Sequence, residues 1–298
     1  MINKENLKAL ITGLYDLQKL RISTGNRITV NVKLKMGLDL KIKETAKQNK
    51  EINDTLIIIR KHFKLITDGL LVIPTIKQFK ADGIFDNYTE INLAGLYTRL
   101  YEDEQLQIKR LEDVLKDFPI WNKFLLGVRG CGPMMAGVII SALDPYKAKY
   151  PSCFHKYVGI DVVIIEKDGE LVGVGRSRKK ESLEESEYKD KEGNVKTKMG
   201  ITFNPFAKTK IVGVLGSSFI KQPADKCKYR RVYDNYKFRI QNMPIHKDKT
   251  KLHIHNMANR YMIKIFLIDL YVAWRGLEGL EVHPPYAEAK LGFHHGKD

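Results

Sequence analysis

GVRGCGPMMAGVIISAL, residues 127–143, places three glycines and a proline within seven positions and follows them with small and apolar side chains. The pattern predicts a helix, a tight turn and a second helix. Trp121, Phe124, Leu125 and Leu126 close the first helix, Gly130-Cys131-Gly132-Pro133 makes the turn, and Met135, Ala136, Val138, Ile139 and Ala142 pack the second. Glycine at 130 and 132 permits backbone angles that other residues resist and allows close approach, while Pro133 suits the first helical position. Such a turn aims backbone N–H groups outward at a helix start, where a phosphate oxygen is well received whatever the base sequence. The same glycines could instead shape a packed corner of the core.

The charge of the whole chain bears on that choice. The 298 residues carry 51 Lys or Arg against 35 Asp or Glu, a net of +16. The excess is uneven: residues 206–264 hold fourteen Lys or Arg against three Asp. A concentrated basic surface points to a polyanionic partner, nucleic acid above all. With 43% hydrophobic residues the chain is of globular composition. Three cysteines without CxxC spacing form no disulfide framework and fit a reducing compartment. The opening MINKENLKALITG lacks a signal peptide's apolar core, and no apolar run reaches membrane-span length. A cytoplasmic protein with no membrane partner is expected.

Helical periodicity predicts a mainly α fold. Residues 1–90 read as a helical N-terminal region, with Leu7, Leu10, Leu14 and Leu17 at helical spacing, a second helix over 38–66, and a break near Pro74 and Gly83. Residues 91–120 read as a long amphipathic linker helix with Leu96, Leu100, Leu106, Ile108, Leu111 and Leu115 on its apolar side. Its 91–117 stretch is also suited to pairing with a second copy as a homo-oligomer. Residues 121–280 form the third region. Within it, residues 151–158 read as a helix capped by Gly159, and 161–200 as a charged β-rich insert with hairpin turns at Asp168-Gly169 and Gly193. Helix returns at Asn204-Pro205, and residues 255–277 read as a buried central helix ending in Trp274-Arg275. Residues 281–298 form an extended tail.

The residues Val128, Gly130, Cys131, Gly132, Pro133 and Ala136 resemble the helix-hairpin-helix motif of DNA repair and recombination proteins. The likeness extends further: a long charged helix, the GCGP turn, the YVGI segment Tyr157–Ile160, a charged variable stretch and a helix from Gly200 onward. That order resembles the C-terminal domain of insertion-sequence 110/116/902 transposases and the related Piv-type invertases, over roughly residues 91–275. The resemblance implies DNA binding and strand cleavage and rejoining by a serine. Two features depart from it. The first ninety residues lack the strand-rich opening and strand-borne Asp of the family's RuvC-like domain, and no Ser-Gly dipeptide is present. Ser177, between Arg176 and Arg178, stands nearest in position to the family's nucleophile, although an ordinary loop serine reads the same way.

The candidate nucleic-acid contacts are therefore Val128, Arg129, Gly130, Cys131, Gly132 and Pro133 in the turn, Arg176 and Arg178 beside the serine, and Lys208, Lys210, Arg230, Arg231, Arg239, Arg260 and Lys264 in the basic region. Tyr229, Tyr233 and Tyr236 share a helical face read as core. Arg260 and Lys264 share a face directed to the basic groove or to Asp269. His246, His253 and His255 lack a Cys or carboxylate partner at ligand spacing, so no metal site and no cofactor is assigned. Mg2+ would enter only with a metal-dependent partner domain or an acidic site. DNA is the favoured partner, with structured RNA as an alternative. Two further readings fit these residues: a non-catalytic nucleic-acid-binding module of the same descent, and a basic protein that meets an acidic protein.

Overall fold

The computed structural model describes residues 4–69, 88–167, 169–285 and 288–289. The expected break at Pro74 and Gly83, and Asp168 of the first hairpin turn, lie outside the described residues. The fold is mainly α, 65% helical with two small antiparallel ribbons. Among the described residues no helix is long and apolar enough to cross a membrane. The chain divides into two compact units, Ala9–Leu111 and Met1–Lys8 with Glu112–Asp298.

The smaller unit is built from α1 (Lys4–Lys35), α2 (Ala46–Gly69) and α3 (Tyr88–Leu115). Helix α2 begins at 46 rather than near 38 because Thr45 and Gln48 form a reciprocal capping box. The Thr45 N–H donates to Gln48 Oε1 at 2.9 Å and the Gln48 N–H to Thr45 Oγ1 at 3.3 Å. Ile28 and Val32 of α1, Ile52 and Ile59 of α2, and Ile91 and Ala94 of α3 make one core. The start of α3 thus belongs to this core rather than standing apart as a linker. Its buried side also differs from the apolar stripe expected: Leu96 and Leu106 are exposed, whereas Thr98 and Glu104 are buried. Glu104 accepts from Arg21 Nε and from Gln18 Nε2 at 2.8 Å, so a charge occupies a core position.

In the larger unit the helix expected to close at Leu126 stops earlier: α4 (Pro119–Lys123) ends where Phe124 leaves helical geometry, a single 3-10 turn spans Leu125–Gly127 with Leu126 exposed, and α5 (Pro133–Ala142) and α6 (Pro151–Val158) follow. Gly159 ends α6 in the left-handed conformation, φ 71°, and its N–H donates back to His155 and Lys156. A Cβ there would lie 2.7 Å from the Phe203 ring. The insert is two separate ribbons. Strand β1 (Val162–Lys167) pairs with β2 (Glu170–Gly175), and β3 (Glu184–Lys189) with β4 (Val195–Gly200).

A composite helical stretch comes next: α7 (Pro205–Ala207), a π-helical section (Lys208–Leu215) and α8 (Gly216–Ile220). Asn204 caps it, its side chain accepting from the Ala207 N–H at 3.0 Å. The π section has a visible cause. Asn259 Nδ2 donates to the Val212 carbonyl at 3.1 Å, and a Cβ at Gly216 would collide with the Asn259 carboxamide. A side chain drawing on a main-chain carbonyl opens the i to i+4 ladder locally. Helix α9 (Lys228–Gln241) then packs on α10 (Lys251–Leu277). The latter is the buried central helix, with Met262, Ile263, Phe266, Leu267, Leu270 and Tyr271 enclosed. At its end the buried Arg275 donates to the carbonyls of Pro145 and Ala148 at 2.7 and 2.9 Å.

Arg21→Met would strand the Glu104 carboxylate in the helical core and lower stability by about 3 kcal/mol. The Arg21→Met/Glu104→Leu double variant should recover most of it, as thermal and urea unfolding of the full chain would report.

Candidate nucleic-acid interface

The sequence-selected residues fall into three places, all in the larger unit. The first is the hairpin turn. Gly130 takes φ 93°, a value that favours glycine. A Cβ there would approach Phe219 Cδ1 to 3.0 Å, and the Gly130 carbonyl accepts from Ser218 Oγ at 2.7 Å. Gly130 is therefore needed for packing against α8. Gly132 behaves differently: it is exposed, caps α5 with φ −76°, and has nothing within 4 Å of a would-be Cβ. The turn therefore has an inner glycine that packs and an outer glycine that faces solvent. Arg129 is exposed and Val128 and Pro133 are half-buried. Cys131 is buried, and burial pushes its thiol up to about 12, which makes it a packing group rather than a ligand.

The second place surrounds Asp161, just before β1. Arg176, at the foot of β2, was expected to hold phosphate. It is instead buried and fully engaged: Nε donates to both Asp161 oxygens at 2.9 Å, and Nη1 to Glu184 at 2.6 Å and to Thr202. Its side chain is committed internally, and the hydrogen bonds it donates to Asp161 above all, with those to Glu184, outweigh burial and hold its pKa above the ordinary value. Its carbonyl accepts from Lys208 Nζ at 2.7 Å. Lys208 also lies 4.5 Å from the Phe203 ring centre. The Arg260 guanidinium occupies the space above Gly175, where a Cβ would collide with it. Lys264, one turn further along α10, feels Arg260 and Asp161.

Burial is the main cause that lowers the pKa of both Lys208 and Lys264, and Arg260 is the next. Arg176 and Arg178 lower Lys208 further, while Asp161 opposes the shift in both lysines. This is a crowded cationic cluster assembled from three segments, with Asp161 already shared with Arg176. Asp269, considered for Arg260 and Lys264, is taken by Lys228 at 2.7 Å and Tyr229 at 2.9 Å.

Ser177 lies at this cluster's edge, half-buried between Arg176 and the exposed Arg178. Its hydroxyl bonds to Ser182 Oγ at 3.1 Å and accepts from the Lys179 N–H at 3.2 Å. Neither partner is a base.

The third place is a groove of about 520 Å³ between α9 and α10, lined by Lys228, Arg231, Val232, Asn235, Tyr236, Arg239 and Tyr261. Arg231 and Arg239 are exposed here. Arg230 is not part of it, because it pairs with Asp234 at 2.7 Å and donates to the Ile220 carbonyl. Lys210 sits 5.6 Å from the Phe206 ring centre. Tyr229 and Tyr233 are core, as their spacing suggested, and His255 bonds to the Tyr233 hydroxyl at 2.7 Å. Among the described residues no group of three His, Cys, Asp or Glu is placed to hold a metal ion.

Sequence reasoning missed Asp161 and Tyr261. Asp161 directly follows the Tyr157–Ile160 segment, and its place beside a glycine-capped helix end was a usable signal. Tyr261 had none, since it lies in a helix whose surroundings are nearly all apolar. No family model matches the chain, and no curated protein or solved structure matches it either.

Gly130→Ala should cost about 2 kcal/mol through backbone strain and contact with Phe219. Gly132→Ala should cost less, about 0.5–1 kcal/mol, as the loss of a glycine N-cap with no steric contact. Urea denaturation of the two single variants, side by side, checks the difference, and it makes Gly132 the variant with which to probe binding.

Proposed function

We propose that this chain is a DNA-binding protein of the transposase or recombinase type, which grips the phosphate backbone. The observation that carries the reading is the convergence of Arg178, Lys208, Arg260 and Lys264, from three segments, about a carboxylate that Arg176 already occupies. Burial first, and the crowding of like charges next, lower the pKa of each lysine and raise the energy of the unliganded state. A phosphate diester oxygen entering the cluster offsets that penalty and favours the charged form of both lysines. The outer glycine of the hairpin and the groove cations supply further contacts to the same backbone. None of these contacts reads a base edge, so binding is expected to be tolerant of sequence.

The strand-cleaving step stays with Ser177. In this reading Ser177 Oγ attacks a backbone phosphorus, the phosphorus–oxygen bond to the adjoining sugar breaks as the serine phosphodiester forms, and the departing sugar oxygen takes up a proton and leaves as a hydroxyl, with the neighbouring cations stabilising the charge that develops on the phosphoryl oxygens. The serine proton needs an acceptor. Solvent water takes it, because the cluster's lysines are charged once phosphate is bound.

Affinity for a duplex of about 30 base pairs should fall steeply with salt, and Lys264→Gln should reduce the slope of log affinity against log salt by about one. A flat salt response would instead favour an acidic protein partner. Affinity should also fall as pH rises. The free lysines titrate below the ordinary 10.5, whereas bound phosphate raises their pKa, so binding takes up protons. The loss therefore begins below the usual lysine range, and titrations between pH 7 and 10 would detect it. Ser177→Ala should abolish strand cleavage while leaving affinity unchanged; undiminished recombination by that variant would remove the serine from the mechanism.

A further inference from the structure

The groove between α9 and α10 differs from the cationic cluster in one respect: it contains aromatic faces. Tyr229, Tyr233 and Tyr236 are spaced along one side of α9, yet only the first two are core. Tyr236 is half-buried and stacks on Tyr261 of α10, ring centres 3.9 Å apart and planes within 11°. The Arg239 guanidinium lies over Tyr236, 5.0 Å from its centre. Two aryl rings and a guanidinium thus form a layered π system along the wall of an open groove, beside the carboxamide of Asn235 and the exposed Arg231.

We infer that this groove is a subsite for the unstacked bases of single-stranded nucleic acid. A base has a π face of the size and polarisability of a tyrosine ring, and stacking on aromatic residues is indifferent to which base is offered. A base entering the groove stacks on the tyrosine pair, Arg239 shifts from the ring toward the adjoining phosphate, and Asn235 offers both a donor and an acceptor to the base edge. The volume, about 520 Å³, lies in the range of about 300–1,000 Å³ that holds small organic groups. A duplex keeps its bases stacked inside and cannot use these faces, so the groove selects for an opened or displaced strand.

The groove also begins where the hairpin ends. Cys227, the N-cap of α9, donates its thiol to the Arg129 carbonyl at 3.7 Å, and the next residue, Lys228, lines the groove. The exposed Arg129 of the turn and the start of α9 are therefore neighbours. This inference rests on the nucleic-acid reading above and adds which strand state is bound.

The test measures the affinity of the full chain for three probes: a 15-nucleotide thymidine strand, an abasic strand of equal length with the same phosphates, and a blunt duplex. Wild type should bind the thymidine strand about tenfold more tightly than the abasic one. Tyr236→Leu and Tyr261→Leu, each checked for unchanged circular dichroism, should bring the two strands within about twofold while duplex affinity holds; Tyr236→Phe should keep the preference. Equal affinity of wild type for the two strands would overturn the inference and leave phosphate binding standing. So would a preference that survives both leucine variants. Failure to bind any of the three probes would overturn the nucleic-acid reading itself, and this inference with it.

Discussion

Arg176 leaves the end of β2 and meets Asp161 from just before β1, Glu184 from the start of β3, and Thr202 from just beyond β4. One guanidinium thereby gathers the roots of both ribbons, and its own carbonyl takes the ammonium of Lys208 from the helical body. A planar guanidinium serves both carboxylates through donors fixed in a fork, one of them bidentate, whereas a lysine offers three donors on a single rotating point charge. Everything proposed for the cationic cluster depends on this node. It sets the position of Ser177 and Arg178 by direct chain connection, and it pairs with Asp161, whose charge then only partly offsets that of Lys208 and Lys264.

The glycines carry out a parallel division of labour. At Gly159 and Gly130 the left-handed backbone and a ring pressed against the missing side chain leave no alternative residue. At Gly175 and Gly216 the missing Cβ is space occupied by Arg260 and Asn259. Those two side chains come from neighbouring positions on α10. The central helix therefore reaches out from the core in two directions, toward the ribbon and toward the π section, through gaps that glycine leaves.

Much of this was written in the sequence where a local rule operates. The glycine cap at 159, the Asn204-Pro205 helix start, the Gly193 turn and the buried helix ending in Trp274-Arg275 each follow from backbone geometry or an unbroken apolar pattern. What sequence could not supply was partner identity. Glu104 sits on the buried side of α3 because Arg21 and Gln18 come to it from α1, some 80 residues away in the chain. Arg176 resembles any loop arginine until two carboxylates from separate turns reach it. Three tyrosines on one helical face read as equivalent, yet Tyr236 lies where α9 and α10 leave a groove. The π section was invisible for the same reason, since its cause is Asn259, 47 residues downstream of Val212.

That π section bears on how the chain tolerates change in length. Its ends are pinned, by the Asn204 cap at one side and the seat of Asn259 on Gly216 at the other. Between them each turn holds more residues than an α-helix of the same rise, so the segment stores slack. Losing one residue between 208 and 215 would let it tighten to α without dragging either anchor, while rotating Lys208 and Lys210 relative to the helix behind them. In this stretch of the basic region a single-codon deletion would re-aim charge instead of breaking the fold.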